Sequence, residues 1–307
     1  MNPIPLYTIL GPTACGKTAL AVALASRLGN AEIISADSRQ VFRGMDIGTG
    51  KDLREYEGKA GQPVPYHLIN IAEAGTKYSV FEFQRDFLRA YHDIRGRGRQ
   101  AVLCGGTGLY LESVLRSYRL VAVPENPALR EELEGKSLEE LATILASYKV
   151  LHNTTDVDTA RRAIRAIEIE EYYRSHHIDE TAPFPQLQSM TVGLNIPREL
   201  RRQRISQRLR HRLEEEGMVD EVRGLLEHVP AEVLLSYGLE YRYLTLYLTG
   251  QMAYDDMVQE LEISIHQFAK RQMTWFRGME RRGVTIHWMD ATKPHDILVE
   301  EIMGLRG

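Results

Sequence analysis

Short apolar runs alternate with amphipathic helical patterns along the first third of the chain. An apolar run ends at Gly11 and an alanine-rich helical pattern follows it. Further strands are predicted at 32–35, 66–71 and 100–104, with a helix at 79–94 whose apolar residues share one broad face. Because strand and helix alternate throughout this region, the sequence predicts an α/β fold with a parallel sheet flanked by helices.

The pattern changes near Tyr118. Strand signals disappear between 124 and about 188, and helical segments are predicted at 127–147 and 156–174. Pro183 and Pro185 close the section. These features predict a helical insertion within the α/β core.

The domain boundaries follow from this change of pattern. We predict a core formed by 1–118 and 190–307, and a helical insertion domain over 119–189. The returning part of the core is predicted to contain a strand at 191–196, an arginine-rich helix at 197–217, more helices to 276 and a last strand at 284–288.

A phosphate-binding pattern joins the first strand to the first helix. Gly11, Gly16, Lys17 and Thr18 satisfy Gly-x-x-x-x-Gly-Lys-Ser/Thr, the P-loop pattern. Its glycines let backbone N–H groups converge on an anion, the helix points its positive end there, Lys17 adds a cation, and the Thr18 hydroxyl can help to hold Mg²⁺. A glycine-rich turn without a ligand is the alternative, which the flanking strand and helix disfavour. The pattern predicts a P-loop NTPase-like sheet that binds polyphosphate, and it leaves open whether the ligand is ATP or another diphosphate.

Two polar segments follow predicted strands at the edge where parallel sheets bind ligands. Asp37 could be a general base for a nucleophile that attacks the group carried by the diphosphate. It could equally be an N-cap or turn aspartate, or hold a metal. Gly105 and Gly106 permit close backbone approach and Thr107 can hydrogen-bond a ligand, although a tight strand-to-helix turn would use the same residues.

Arginines share one arc of the predicted helix at 197–217. Helical spacing brings Arg201, Arg208 and Arg212 together, beside an apolar face. Such an arc could bind a diphosphate or a nucleic acid, but a solvated charged face is the commoner explanation and is the one the sequence favours.

Other candidates also have structural explanations. Arginines at 161, 162 and 165 could contact a ligand or pair with glutamates along their helix. The spacing of Phe268, Trp275 and Met279 favours core packing over base stacking, and His67 is interpreted as structural.

Composition narrows the classes of protein. The 307 residues include 26% charged and 43% hydrophobic residues, and no apolar run approaches the length of a membrane span. Two cysteines, Cys15 and Cys104, exclude a disulfide framework and a cysteine-ligated zinc site, and no secretory signal precedes the first strand, so a cytoplasmic location is expected. Since the net charge is −4, any contact with nucleic acid is expected to come from local basic stripes.

Taken together, five motifs resemble the tRNA dimethylallyltransferase (isopentenyltransferase) family. They are Gly-Pro-Thr-Ala-Cys-Gly-Lys-Thr (11–18), Ser-Ala-Asp-Ser-Arg-Gln-Val-Phe-Arg-Gly-Met-Asp-Ile-Gly-Thr-Gly-Lys (35–51), Gly-Gly-Thr-Gly-Leu-Tyr (105–110), Arg-Arg-Ala-Ile-Arg-Ala-Ile-Glu (161–168) and Ala-Lys-Arg-Gln-Met-Thr-Trp-Phe-Arg (269–277). The likeness covers nearly the whole chain in the family's order.

The resemblance implies a reaction and a set of site residues. The family transfers a dimethylallyl group from dimethylallyl diphosphate to N6 of an adenine beside the tRNA anticodon, with Mg²⁺, and releases diphosphate. Asp37, Arg208 and Thr13 would be catalytic, with Asp37 as the base. The loop residues Gly11, Pro12, Thr13, Ala14, Cys15, Gly16, Lys17 and Thr18 would bind the diphosphate, and Thr18 would also hold the metal. Contacts with the anticodon stem-loop would come from Asp37, Ser38, Arg39, Gln40, Thr107, Arg130, Arg161, Arg162 and Arg165. A monomer that does not associate with a membrane is expected.

Two positions depart from the family pattern. Glu240-Tyr241-Arg242-Tyr243 stands where Gly-Tyr-Lys-Glu is usual, and Ile265-His266 stands where Thr-Arg is usual. Both fall where the family is expected to contact RNA, so they affect the assignment of the acceptor more than that of the donor. Prenylation of free adenosine nucleotides is therefore an alternative. An ATP-dependent, kinase-like reaction and RNA binding without catalysis are further ones.

Overall fold

A computed structural model describes residues 6–58, 62–149, 157–176 and 184–305. The chain forms two compact units, one from Met1–Tyr118 with Pro185–Gly307 and the other from Arg119–Phe184. Pro183 and the predicted helix start at 156 lie outside the described residues.

Six parallel strands form one sheet in the order β3-β2-β4-β1-β5-β6. The strands are β1 (Leu6–Leu10), β2 (Ala31–Ser35), β3 (Tyr66–His67), β4 (Gln100–Gly105), β5 (Ser189–Asn195) and β6 (His287–Asp290). In β1, Tyr7 lies opposite Val102 of β4 on one side and Met190 of β5 on the other. The predicted α/β class is confirmed. Because β2, β4 and β1 are neighbours, the segments that follow them emerge side by side at one edge of the sheet.

Two strands differ from their predicted bounds by three or more residues at one end. The predicted strand at 66–71 ends at His67 because Leu68 and Asn70 have left-handed φ angles of 62° and 56°. The last strand begins at His287, three residues later than predicted, because the amide of Val284 still donates to the Met279 carbonyl and closes the preceding helix.

Helices cover both faces of the sheet. In the first unit they are α1 (Lys17–Leu28), α2 (Val80–Gly96), α3 (Gly108–Leu115), α7 (Arg198–Glu214), α8 (Met218–Leu226), α9 (Ala231–Leu234), α10 (Leu239–Leu248), α11 (Tyr254–Arg281) and α12 (His295–Gly304), with a 3₁₀ helix at Leu53–Glu57. The predicted helix at 79–94 is confirmed as α2, which Ser79 starts with a capping box to Glu82. One core packs α1 and α12 on the sheet, and a second joins α7, α8, α10 and α11 to the segment around Phe42.

The second unit contains α4 (Pro127–Leu133), α5 (Leu138–Tyr148) and α6 (Ala160–His176). The single helical segment predicted at 127–147 is two helices. Gly135 has a left-handed φ of 80°, and a capping box between Ser137 and Glu140 then starts α5. The buried side chains of Leu133, Leu141 and Ile167 belong to its small core.

The second boundary of the helical unit falls at Phe184, whereas the sequence placed it at 189. The Ser117 hydroxyl donates to the Pro185 carbonyl at 3.1 Å, and the Leu6 amide donates to the Gln188 carbonyl at 2.9 Å. These bonds attach the segment before β5 to the first unit.

Candidate active site

The loop between β1 and α1 is curled by two left-handed residues. Ala14 has a φ of 62° and Gly16 a φ of 86°. A non-glycine residue in this region costs of order 1 kcal/mol, a strain that clusters at ligand-binding loops. Since the loop ends at the N-terminus of α1, its backbone has the geometry of an anion site. The loop thus has the conformation expected of a P-loop, and its binding of phosphate stays a prediction.

Side chains within the loop explain its other residues. Lys17 Nζ donates to the Pro12 carbonyl at 2.8 Å, so the ammonium group lies over the loop. A Cβ on Gly11 would come within 2.8 Å of Cys15 Sγ, so only glycine fits there. The Cys15 side chain is buried, and burial raises the pKa of its thiol. The thiol is therefore neutral, and Cys15 serves the loop through its backbone and packing.

Arg208 reaches the loop from α7. Its Nη2 donates to the Thr13 hydroxyl. Desolvation and the neighbouring Arg212 lower the pKa of Arg208 to about 10, so the guanidinium is still charged at neutral pH. Together with Lys17, Arg208 places two cations around the position that an oxyanion would occupy.

The sequence favoured a solvated face for the arginine arc of α7, and for Arg208 and Arg212 this is wrong. Both line the cavity beside the loop. Gly50, with a φ of 66°, lies so close that a Cβ would be 2.3 Å from Arg212 Nη2. Tertiary packing, which helical spacing does not encode, turns this face inward.

Asp37 and Thr107, which follow β2 and β4, line the same cavity and form its second wall. Asp37 Oδ1 accepts hydrogen bonds from the amides of Arg39 at 2.9 Å and Gln40 at 3.3 Å. The Ser38 amide donates to Thr107 Oγ1 at 3.0 Å. The turn-aspartate interpretation of Asp37 is therefore correct, and it is compatible with catalysis because the same carboxyl group lines the cavity.

Gln272 of α11 joins the two walls. Its Oε1 accepts from the Thr13 amide at 2.9 Å, and its Nε2 donates to the Gly106 carbonyl at 2.9 Å. The side chain is buried. Sequence reasoning did not single out Gln272, since nothing in a glutamine at helical spacing signals a bond to a loop 259 positions away.

The segment after Asp37 is held by buried polar contacts. Lys51 Nζ, fully buried, donates to the Phe42 carbonyl, Asp46 Oδ1 and Asn70 Oδ1 at 2.6–2.7 Å. Glu221 of α8 accepts from three successive amides, those of 46, 47 and 48, and from the Tyr241 hydroxyl. These contacts fix the glycine-rich wall of the cavity, and Glu221 is a further positioning residue that the sequence did not reveal.

The walls enclose a cavity of about 340 Å³. Ten of the predicted site residues line it: Thr13, Ala14, Lys17, Thr18, Asp37, Ser38, Arg39, Gln40, Thr107 and Arg208. Arg39 is also tied back, because its Nη2 donates to the Ser236 carbonyl at 3.3 Å and its guanidinium lies 5.9 Å from the Tyr237 ring centre. A neighbouring space of about 580 Å³ shares Lys17, Thr18 and Arg208 with the first.

Phe268 also lines the cavity, where 40% of the residue is exposed. The predicted core role is wrong for Phe268 and confirmed for Met279, which is fully buried. An exposed aromatic ring that lines the cavity offers a stacking surface for a planar ligand.

Oxygen atoms near the loop fit a magnesium ion. Thr18 and Asp52 both lie close enough to the Glu55 carboxyl group to affect its pKa, which burial raises. Mg²⁺ binds through a few protein oxygens together with substrate phosphates, so a full protein cage is not required. Within the described part of the chain no group of three or more His, Cys, Asp or Glu residues could hold a metal.

The helical unit carries the other predicted arginines. Arg130 and Arg165 donate to the buried Glu168 carboxylate, Arg130 through Nε and Nη2 at 2.8 and 2.9 Å and Arg165 at 2.7 Å. Arg162 pairs with Asp158. Arg161 is exposed and forms no ion pair with any described residue. Three of the four arginines thus have structural partners, and contact with tRNA remains a prediction for all four.

The two departures from the family pattern have different surroundings. Glu240 lies in the first turn of α10 and lines the cavity. His266 packs on the far side of α11, with Nε2 3.4 Å from Glu262, which in turn accepts from Ser206 of α7. Glu240 and Ile265 therefore line the cavity, whereas His266 does not, and only Glu240 brings a charged group to it.

No helix among the described residues is both long and apolar enough to cross a bilayer.

Comparisons with known proteins agree with this geometry. A family model described as IPP transferase matches residues 40–279, and one described as isopentenyl transferase matches residues 4–59. A tRNA dimethylallyltransferase 2 from Phocaeicola vulgatus is 60% identical over 306 residues, 99% of this chain and 98% of its own. A protein of the same name from Bacteroides fragilis is 64% identical over 295 residues, which are 96% of this chain and 95% of that protein. The crystal structure of a full-length tRNA isopentenylpyrophosphate transferase from Bacillus halodurans has a TM-score of 0.69 and 31% identity, covering 98% and 95%.

Proposed function

We propose, because this chain belongs to the tRNA dimethylallyltransferase family, that it transfers a dimethylallyl group from dimethylallyl diphosphate to N6 of an adenine beside the tRNA anticodon. It is a prenyltransferase, and the products are N6-isopentenyladenosine and diphosphate. The observation that carries the proposal is the cavity in which Arg208 bonds Thr13 on one wall while Asp37 lies on the other.

The diphosphate of the donor binds at the loop. Backbone N–H groups, Lys17, Thr13 and Arg208 surround the phosphate oxygens and stabilise the negative charge that grows as the bond from C1 to oxygen breaks. Thr18, with Glu55 nearby, would hold Mg²⁺, which would supply positive charge at the leaving group.

The acceptor reaches the cavity from the opposite wall. An exocyclic adenine amine is a weak nucleophile, so its attack on C1 needs a base for the proton that nitrogen loses. Asp37 is that base. The adenine must leave the anticodon-loop stack to enter, and Phe268 and Thr107 offer a stacking face and a hydrogen-bonding hydroxyl.

A direct test uses purified protein, Mg²⁺, dimethylallyl diphosphate and an anticodon stem-loop with an adenine-rich loop, analysed by mass spectrometry. The expected result is one added prenyl unit on a single adenine. Product on AMP in a parallel reaction, with none on RNA, would contradict the tRNA acceptor; ATP hydrolysis without any prenyl product would contradict the donor. Sedimentation and cell fractionation would check the monomer and the cytoplasmic location.

A further inference from the structure

Glu240 places a carboxyl group inside the cavity. It is the second residue of α10, after Gly238 and Leu239, and all three line the cavity. An acidic residue in the first turn of a helix is often only a partner of the helix dipole. Glu240 differs from such residues because its side chain is partly buried and shares the cavity with the catalytic groups.

The charges around Glu240 are unevenly matched. No described residue forms an ion pair with it within 4.0 Å. Arg208 and Arg212 of α7 attract the carboxylate over a longer distance, Asp37 repels it, and its own backbone N–H donates to it. Arg39 is also within electrostatic reach. Burial outweighs these attractions and raises the pKa of Glu240 above its ordinary value.

A bound diphosphate would reverse the balance. Its oxygens would bind Lys17 and Arg208, and the positive charge of Arg208 would then be shared between Glu240 and the ligand. The oxygens would also add negative charge near Glu240. A carboxylate that loses attraction and gains repulsion favours its neutral form. We propose, resting on the proposed function, that Glu240 takes up a proton from solvent when diphosphate binds and returns it when diphosphate leaves.

This exchange would separate the roles of the two acids in the cavity. With Glu240 neutral, Asp37 is left as the anionic carboxylate next to the attacking amine. After transfer, departure of the product diphosphate is coupled to loss of the proton from Glu240, so rising pH favours release. The residue therefore acts as a positioning and release group, without touching the bonds that break and form.

The proton can be counted by titration calorimetry. Inorganic diphosphate with Mg²⁺ is titrated into the full-length chain in two buffers of different ionisation enthalpy, over roughly pH 5 to 9, where buried glutamates titrate. Comparing the wild type with E240Q at each pH cancels the protons that the ligand itself exchanges. We expect the wild type to take up a larger fraction of a proton, and E240Q to bind diphosphate about fivefold more tightly at the alkaline end.

Three further variants make the measurement specific. E240A also lacks the titrating group and should lose the same proton uptake, which guards against an effect peculiar to glutamine. E199Q removes an exposed carboxylate from the first turn of α7, and it should behave as the wild type. In a D37N background, the difference between glutamate and glutamine at 240 should persist.

Other results would overturn either the assignment to Glu240 or the donor site itself. Equal proton uptake in wild type and E240Q, or an uptake abolished by D37N alone, would overturn the assignment to Glu240. Weaker diphosphate binding by E240Q across the pH range would also overturn it. No diphosphate binding by the wild type would overturn the proposed donor site itself, and the inference with it.

Discussion

The amide of Thr13 donates a 2.9 Å hydrogen bond to Oε1 of Gln272. The bond ties the P-loop to α11, and the Nε2 group of Gln272 extends it to Gly106 after β4. A long helix from the far end of the chain thus fixes the distance between the two sides of the active site. Preorganisation of this kind is worth more to the rate than to stability.

Gln272→Leu should leave the Thr13 amide and the Gly106 carbonyl without their partner. We expect a loss of about 1–2 kcal/mol in the free energy of unfolding and a roughly tenfold or greater loss in kcat/KM. Urea denaturation and steady-state prenyl transfer measure the two effects. Gln267→Leu, at an exposed position of the same helix, is the matched control. An unchanged kcat/KM in Gln272→Leu would show that the two hydrogen bonds of Gln272 have no part in catalysis.

Arg208→Gln should mainly weaken the donor site. Removing a charged, hydrogen-bonded guanidinium beside the diphosphate is expected to lower kcat/KM for dimethylallyl diphosphate about 100-fold. Arg208→Lys keeps the charge but lacks the planar guanidinium, so its kcat/KM should lie between those of the wild type and Arg208→Gln. Arg210→Gln, on the exposed face of α7, should act like the wild type. Equal loss in both glutamine variants would point to the helix instead of the guanidinium.

Asp37→Asn should retain donor binding and lose turnover. The amide oxygen of asparagine can still accept the bonds from the amides of Arg39 and Gln40, so the turn is preserved while the base is removed. We expect kcat to fall about 10²- to 10⁴-fold with the dissociation constant for the donor little changed. Asp290→Asn tests the same exchange in a turn outside the site, where Asp290 Oδ1 accepts from the Thr292 amide. A wild-type rate in the Asp37 variant would remove this residue as the base.

Glu32 should make stability depend on pH. It is buried, and hydrogen bonds from Arg97, assisted by His67, lower its pKa to about 2. Because the folded state holds the carboxylate charged, its contribution is present above the ordinary pKa near 4.5 and is lost as pH falls toward 2.

Glu32→Gln is therefore expected to cost about 2 kcal/mol at neutral pH, allowing for the solvent exposure of the arginines, and progressively less below pH 4.5. Urea denaturation at several pH values measures the difference. Glu300→Gln, which breaks an exposed pair with Arg27, should cost less than about 0.5 kcal/mol. A constant cost of Glu32→Gln down to acidic pH would contradict the role of its charge. His67, with Nε2 2.7 Å from Glu32 Oε2, has the structural place that the sequence predicted.

The helical unit contains arginines that bind a buried glutamate and one arginine, Arg161, that is exposed. Glu168→Gln should destabilise this unit by about 2–4 kcal/mol, because Arg130 and Arg165 lose a buried charged partner. Arg161→Gln should leave stability unchanged, weaken tRNA binding and reduce its salt dependence by about one counterion. Hydrogen exchange of residues 160–176 and binding at several salt concentrations measure these effects. Diphosphate binding should be normal in both variants, and weak diphosphate binding would show that the effect is not confined to the helical unit.

The sequence could predict what local spacing encodes. The P-loop is recognisable because its turn, its cation and its helix are contiguous, and Asp37 because it follows a strand that must end at the same edge. The capping box at Ser79 likewise fixes the start of α2 within the sequence itself. In each case the signal and the structure lie within a few residues of each other.

The remaining parts depend on contacts between distant segments. Whether Arg208 faces water or ligand is decided by the packing of α7, and Phe268 stays exposed only because the cavity opens beside it. The buried Lys51 has three partners, none of which a sequence pattern would connect to it. Similarly, β3 is short because of two left-handed residues that no strand propensity reveals.

The hydrogen bond between Ser117 and Pro185 has a consequence for how such enzymes diversify. The chain leaves the sheet-bearing unit and returns to it at adjoining points, so the intervening segment is an insertion between two neighbouring positions of that unit. Lengthening, trimming or exchanging it is therefore expected to leave the strand order and the loop after β1 unchanged. Selection can therefore change the helical unit, where contacts with tRNA are predicted, while the transfer reaction is inherited intact.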